Sequence, residues 1–600
     1  MSAYLSIARR SLLGAATFFA LGGFSAGQSD DAIAIMGATV FDATGAAPHA
    51  ANIVIRNGRI AEVGPDVRAP RGARVIRANG KAVLPGFFDV HTHWTPAGNP
   101  ALTPDVATAY VKAGVTTIND FHQPPESFEP RRRWLQTLAT PHVNLTARMS
   151  TPGGHGADWG DQNTTRWANT PESGRAGVQA IAPYDPDVIK VFADGWRYGQ
   201  SADNTSMDEW TLKAIVDEAH KIGKKVVTHT VTADRGAMVA RAGVDIIVHS
   251  IQDQVLDEAT VNLMRESGIV YSPTLAVYEP VKPGQTPPAD ITTARFQQSQ
   301  RKFGYALANT KRLQDAGVLI ALGTDAGMPG TQHGFSTLHE MALLVQAGLT
   351  PTQALMAGTA NSAQALGIIA DRGTIEVGKR ADLVLVDGRP WDNIADVHNT
   401  HAVLIDGKLV HGLGAQLPAA NSHAFMPAIT VSALVDDFSR ADGRTNLNTL
   451  RVDDFDGGQD RSVQLSQIIT RDDGRAILSL SARMSQKPNP YAGVIFPMAR
   501  GSIEPADLSA YKGVKLSVRG DGEAYELRLR GAAGSWSAPV VAGAQWTEIE
   551  VPFSALNPVA QRNGAAGAVF APNQILEVRL GFERPAGAQG WLEIERVSFF

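Results

Sequence analysis

Two hydrophobic periods divide this chain. From about residue 84 to residue 367, short continuous apolar runs alternate with stretches of helical spacing. The runs are LPGFFDVHTH, GVTTIND, HVNLTARM, DVIKVFADG, KKVVTHT, VDIIVHSI, IVYSPTL and VLIALGTDAG. Between them lie patterns such as MDEWTLKAIVDEAHKIG, with Ser206 as a candidate N-cap and Gly223 at its end. Strands apolar on both faces need helices on both sides. The alternation predicts an α/β fold, a parallel (β/α)8 TIM barrel. A doubly wound open sheet is the competitor, but no GxGxxG or Walker A loop follows any run.

The flanks read differently. Ile33 to Pro65 holds short strands, with Asn57-Gly58 at the centre of IVIRNGRIAEVG, and ADLVLVDG and AVLIDGKLV with Asp406-Gly407 follow far downstream. Such dipeptides between alternating apolar residues signal tight hairpins. Residues 28–83 and 368–416 are therefore expected to build one composite β-sandwich. Residues 417–429, including PAANSHAFMP, read as a linker. Over residues 430–600 the period is two, as in GVKLSVRG, YELRLRG, WTEIEVPF and ILEVRLGF, which predicts an all-β sandwich.

The N-terminus has export-signal order: Arg9-Arg10, then SLLGAATFFALGG, then Ser25-Ala26-Gly27. Residues 1–27 are expected to be a signal peptide, too short in its apolar run for comfortable spanning of a bilayer. A periplasmic or secreted protein without stable membrane insertion is expected, with general and twin-arginine export both open.

Composition narrows the chemistry. The 600 residues carry 54 basic and 59 acidic side chains, a net charge of −5, which speaks against a nucleic-acid partner. Cysteine is absent, so thiolate nucleophiles, thiolate metal sites and disulfides are excluded. Any metal must be held by His, Asp, Glu or a modified side chain.

Ionisable residues gather at the ends of the predicted strands, where barrel active sites lie. The first strand ends in His91-Thr92-His93, whose i and i+2 side chains share one face. Lys190 interrupts the apolar fourth strand; His229 and His249 end the fifth and sixth; Asp325 ends the eighth. Six groups that are costly to bury unpaired would meet at one mouth, which points to a shared metal site.

These motifs, in this order, resemble the metal-dependent amidohydrolase superfamily, as does the closing ALMAGTANSAQALG…DRGTIEVGKRADLVLVDG. The resemblance spans roughly Ile33 to Leu413. It implies the binuclear subtype, in which His91, His93 and Asp325 hold one divalent metal and His229 and His249 the other. An N-carboxylated Lys190 and a hydroxide would bridge them. Asp325 would also be catalytic, accepting the proton and passing it to the departing nitrogen. Two zinc ions suit the His and oxygen ligands best, with manganese or cobalt as substitutes.

STPGGHG with His155 and IVYSPTL with Tyr271 look like the branch of Xaa-Pro dipeptidases and imidazolonepropionase-related enzymes. On that resemblance, His155 and Tyr271 would bind the substrate, and His122 and His333 are weaker candidates. The implied reaction is cleavage of a small-molecule amide, a dipeptide or an N-acyl amino acid. A mononuclear deaminase or cyclic-amide hydrolase on the same barrel is the rival; a deaminase would want a further acid, and Asp234 is the one on offer. A non-catalytic carbohydrate-binding protein is the rival of another class.

DDF at Asp436 to Phe438, DLSAYKGVKLSVRGDGEAYELRL and WTEIEVPFSAL resemble the complex I intermediate-associated protein domain, a galactose-binding-like jelly roll. That implies possible glycan contact, with Trp536 or Trp546 stacking on the ligand if exposed. Because no candidate ligand lies beyond Asp325, this domain is expected to be dispensable for the chemistry.

Overall fold

The computed structural model describes residues 32–94, 102–152, 154–157, 164–193, 206–457, 460–560 and 568–600. The expected signal over residues 1–27 lies outside the described residues. Among those described, no helix is long and apolar enough to cross a membrane.

Among the described residues, seven parallel strands form the barrel wall: β1 (Phe87–Thr92), β2 (Val115–Asp120), β3 (His142–Ser150), β4 (Val188–Phe192), β5 (Lys225–His229), β6 (Ile246–Val248) and β7 (Val270–Ser272), paired in that order, and the short strand Thr165–Trp167 joins the sheet beside β3. The expected eighth strand is not regular. Its backbone still closes the ring, with Tyr271 N–H donating to Leu319 O (2.9 Å), Ala321 N–H to Tyr271 O (3.0 Å) and Val90 N–H to Leu322 O (2.9 Å). At Gly323 the chain runs so close to β1 and β7 that a Cβ would meet Ser272 Oγ at 2.6 Å and His91 Cβ at 3.1 Å. The result is a nearly closed barrel inside a layer of helices.

Strand alternation sorts the side chains. Ile189, Val191, Val226 and Ile247 face outward and pack with helix residues such as Leu212, Ile215 and Val239. Val188, Val227, Ile246, Val248 and Val270 join Val90, Phe121 and Ala321 in a separate inner cluster. The helix expected from Ser206 runs from Glu209 to Lys221, and its N-cap is Asp208, whose carboxylate accepts the Thr211 N–H at 2.9 Å. An ionised Asp oxygen is a strong cap at the positive helix end.

The flanks share one eight-stranded sheet. Leu383–Asp387 pairs antiparallel with Lys81–Pro85 and so joins the two pieces. Asn57 and Gly58 have φ of +50° and +76°, and Asp406 and Gly407 have +49° and +69°. These are the left-handed pairs a two-residue hairpin demands.

Among the described residues, the C-terminal region folds into two mainly antiparallel sheets, eight- and six-stranded, around one core that includes Leu480, Leu516, Leu527 and Leu580. Residues in the expected linker lie against the barrel. Asn421 Oδ1 accepts the Ala139 N–H at 2.8 Å, its Nδ2 donates back to Ala139 O at 3.1 Å, and Ala420 and Met426 pack on the barrel core.

Candidate active site

The mouth is built from the strand ends. Asp325 Oδ1 lies 3.2 Å from His91 Nε2 and 3.1 Å from His93 Nε2. The three residues offer ligand atoms within 4.8 Å of one another. The rings of His229 and His249 are 4.3 Å apart, and His249 is 4.8 Å from His91. Lys190, on the inner face of β4, holds its Nζ 5.1 Å from the Phe121 ring and 5.4 Å from Phe192. All six sequence-derived ligand candidates thus line one buried region.

His249 and Asp325 sit on left-handed backbone, with φ of +81° and +60°. Such conformations cost about 1–3 kcal/mol outside glycine and concentrate at functional sites. The reason at His249 is positional. It follows Val248, which points inward, so plain alternation would turn the imidazole toward the helices. The turned backbone brings it to His91 instead, and Thr274 Oγ1 at 3.0 Å from Nδ1 orients the ring.

Burial sets the protonation states. Desolvation, with the Lys190 charge second, lowers His91 to about 3. Desolvation also drives His229 and His249 well below the ordinary imidazole range. At Asp325 burial pushes upward, but His249 and the contacts from His91 and His93 outweigh it and hold the carboxyl well below its usual range. Neutral imidazoles and an ionised carboxylate are the forms that ligate metals. His91 Nδ1 is buried without a hydrogen bond, and Nε2 has the Asp325 carboxylate beside it at 3.2 Å; a cation between imidazole and carboxylate would satisfy this donor set. The residues fit a metal centre.

Asp89, absent from the sequence reading, ties this cluster together. Its carboxylate accepts Thr324 Oγ1–H (2.7 Å), Thr337 Oγ1–H (2.8 Å) and the Thr324 N–H (3.1 Å). It thereby fixes β1 to the residue before Asp325. Burial raises it to about 7 against these donors.

His155 lies at the mouth, its ring perpendicular to His229 at 4.2 Å and 4.6 Å from Phe192. Tyr271 does not. It faces outward from β7, is fully buried in the helix-layer core, and its hydroxyl accepts the Ile251 N–H at 2.9 Å. Strand parity is the reason, since its neighbours Val270 and Ser272 take the opposite face. His122 Nδ1 is 3.3 Å from His93 Nδ1, and His333 Nδ1 is 3.0 Å from the Tyr110 hydroxyl. Asp234 is exposed on the helix after β5. Arg148, also unsuspected from sequence, points inward from β3, its guanidinium 5.4 Å from the Phe192 ring. Its signal was present: it lies an even number of residues from Thr146 and Asn144, opposite the outward Leu145 and Ala147.

A second group, His142, Asp382 and Asp406, lies at the other end of β3. Arg380 pairs with Asp406, and Arg372 Nη1 lies 3.8 Å from Asp382, so this is a charge network tying the flanking sheet to the barrel. In the C-terminal sandwich, Trp536 is core, not surface; its Nε1–H donates to Ala568 O at 2.7 Å. Trp546 is half-buried beneath the guanidinium groups of Arg471 (4.8 Å) and Arg519 (5.2 Å).

Comparison with known proteins agrees with this geometry. An imidazolonepropionase of Deinococcus radiodurans is 27% identical over 387 residues, covering 59% of this chain and 89% of that protein. One from Shewanella oneidensis is 28% identical over 438 residues, covering 63% and 97%. A crystal structure of a Xaa-Pro dipeptidase with bound methionine in the active site is 25% identical, with a TM-score of 0.55, covering 64% of this chain and all of that one. The profile of the complex I intermediate-associated protein 30 family matches residues 466–594. The profile of the amidohydrolase family matches residues 82–410, more than half of the chain. The protein belongs to the amidohydrolase family and is a hydrolase of carbon–nitrogen bonds, carrying a complex I intermediate-associated protein 30 domain at its C-terminal end.

Proposed function

We propose that this amidohydrolase is exported and cleaves the amide bond of a small peptide-like substrate, a dipeptide or an N-acyl amino acid, with two divalent metals, zinc by ligand chemistry. His91, His93 and Asp325 would hold one metal, His229 and His249 the other, and N-carboxylated Lys190 both. Bound there, two cations would polarise the scissile carbonyl and lower the pKa of water.

The observation that carries this reading is Lys190 inside the imidazole cluster, almost fully buried. The deprotonated Nζ would bond to the carbon of carbon dioxide; one proton leaves to free the amine and a second as the carbamate forms, which turns a cation into an anion suited to that surrounding. Asp325, held ionised against its burial, has the state a proton acceptor needs, and by delivering that proton it would make the departing amine neutral. His155, whose ring lies 4.2 Å from that of His229, would donate to a substrate oxygen. The buried rings of Phe121 and Phe192 flank the Lys190 Nζ at 5.1 and 5.4 Å. The apolar run ahead of Ser25-Ala26-Gly27 supports export.

The imidazolonepropionase relatives favour a second reading, hydrolysis of a cyclic amide with one metal. Purified protein should be assayed with alanyl-proline, N-acetyl-amino acids and an imidazolone, alongside metal analysis. Dipeptide or N-acyl turnover with two metals per chain supports the first reading. Imidazolone turnover with one metal supports the second.

A further inference from the structure

The strongest feature outside the metal cluster is how the C-terminal sandwich meets the barrel. It touches the loops after β2 and β3, on the face where the strands end and the chemistry lies. In the loop after β2, Glu126 receives both guanidinium nitrogens of Arg444, Nη2 at 2.7 Å and Nη1 at 3.0 Å, and Arg500 Nε at 3.3 Å. Gly501 lies so close to Ser127 that a Cβ would sit 2.5–2.6 Å from its backbone and Cβ. Ile503 is part of the barrel's own hydrophobic cluster.

The loop after β3 carries His155. Three successive carbonyls there are each held. Ser150 Oγ donates to His155 O at 2.7 Å. Arg148 Nη2 and Thr165 Oγ1 donate to Gly156 O at 3.1 and 2.8 Å. Arg461 Nη1 donates to Ala157 O at 3.1 Å. The first two anchors come from the barrel and the third from the C-terminal domain. Arg461 is itself oriented, its guanidinium 5.7 Å from the Trp167 ring of the barrel and 5.9 Å from Phe455 of its own domain. A planar cation suits two ring contacts and a carbonyl together; an ammonium is a less directional substitute.

We propose that the C-terminal sandwich is a wall of the active site and that its Arg461 is a positioning residue for His155. The loop is tightly coupled to the mouth. Gly156, at φ +76°, packs so closely on Phe192 that a Cβ would lie 2.6 Å from that ring, and Phe192 borders His155. A shift of Ala157 therefore moves the imidazole against His229. This rests on the reading of His155 as a substrate contact, and it reverses the expectation that the domain is dispensable.

The test uses the full chain with Arg461→Ala, Arg461→Lys, His155→Ala, the Arg461→Ala/His155→Ala pair, and the exposed Arg475→Ala as control. Hydrogen exchange is followed in segments 148–157 and 121–127, together with bound metal and turnover of alanyl-proline. Arg461→Ala should speed exchange at 154–157 about tenfold while 121–127 and metal content hold, as expected when one anchor of a local opening unit is lost. It should lower kcat/KM about tenfold through KM, with partial recovery in Arg461→Lys, and add less than about twofold on top of His155→Ala. Unchanged exchange at 154–157 overturns the proposal. So does equal acceleration in both segments, which would make Arg461 a general docking contact. Multiplicative losses in the double variant overturn it as well. If the parent fails to cleave alanyl-proline, the substrate reading falls, and the exchange result alone decides the positioning role.

Discussion

Tyr271 shows what a single residue can hide. In a three-residue strand, one step of parity separates the barrel mouth from the helix layer, and the apolar run IVYSPTL has no alternation to fix which residue faces which side. Its role is to satisfy the Ile251 N–H, two residues after His249. Tyr271→Phe leaves that buried donor unpaired, so thermal unfolding should show a loss of about 1–3 kcal/mol. KM for a hydrolysed amide should stay within about twofold. A large KM rise with unchanged stability would return Tyr271 to the substrate. The candidate ligands were legible because each is a polar residue that stands out against an apolar run, at its end or, for Lys190, inside it. Asp89 and Arg148 stand in similar runs, but each gains its meaning from Thr324, Thr337 or Gly156, which are distant or unremarkable in sequence.

At the scale of elements, helix Phe335–Gln346 reaches the site through a cap. Glu340 accepts the N–H groups of Leu275 and Ala276, both at 2.7 Å, at the start of the turn Leu275–Tyr278. Thr274, just before it, orients His249. Burial raises Glu340 from 4.5 to about 8, with the two amides opposing. A raised carboxyl favours the folded state while protonated. Its contribution is fully present below about pH 4.5 and is lost as pH rises through about 8. Between pH 6 and pH 9 the parent should therefore lose on the order of 2–3 kcal/mol more stability than Glu340→Gln, which cannot titrate there. Parallel melting-temperature curves for the two proteins would show that Glu340 is already ionised at pH 6. The two hairpins were readable from Asn57-Gly58 and Asp406-Gly407 because left-handed turns leave a local signature. The eighth barrel run was over-read as a strand, since an apolar pattern does not reveal that the Gly323 backbone presses on Ser272 and His91.

The whole molecule departs most from the modular picture. A proline- and alanine-rich stretch at 418–427 reads as a linker, yet Asn421, Ala420 and Met426 lie on the barrel. The contacts of Arg444 with Glu126 and Arg461 with Ala157 span 318 and 304 residues, distances over which sequence carries no pairing signal. Ending the chain at Leu417 would strip Glu126 of two guanidinium partners and remove Ile503 from the barrel core. The shortened protein should unfold at least about 2 kcal/mol more easily. Exchange should quicken in both 121–127 and 154–157, as the loops after β2 and β3 lose their wall. Native stability and parent-like exchange in those loops would restore the view of an appended module.

The proposed chemistry stands on Lys190, which would join two metals in one carbon–nitrogen hydrolase site. The most direct measurement is metal content per chain, by elemental analysis, after reconstitution with zinc and bicarbonate, for the parent and Lys190→Ala, with circular dichroism to check the barrel. The parent should bind two ions. Lys190→Ala should stay folded, lose at least one ion and keep under about 1% of turnover, because two nearby cations repel without the shared anion. A folded Lys190→Ala protein with two bound ions and near-normal turnover would contradict the account.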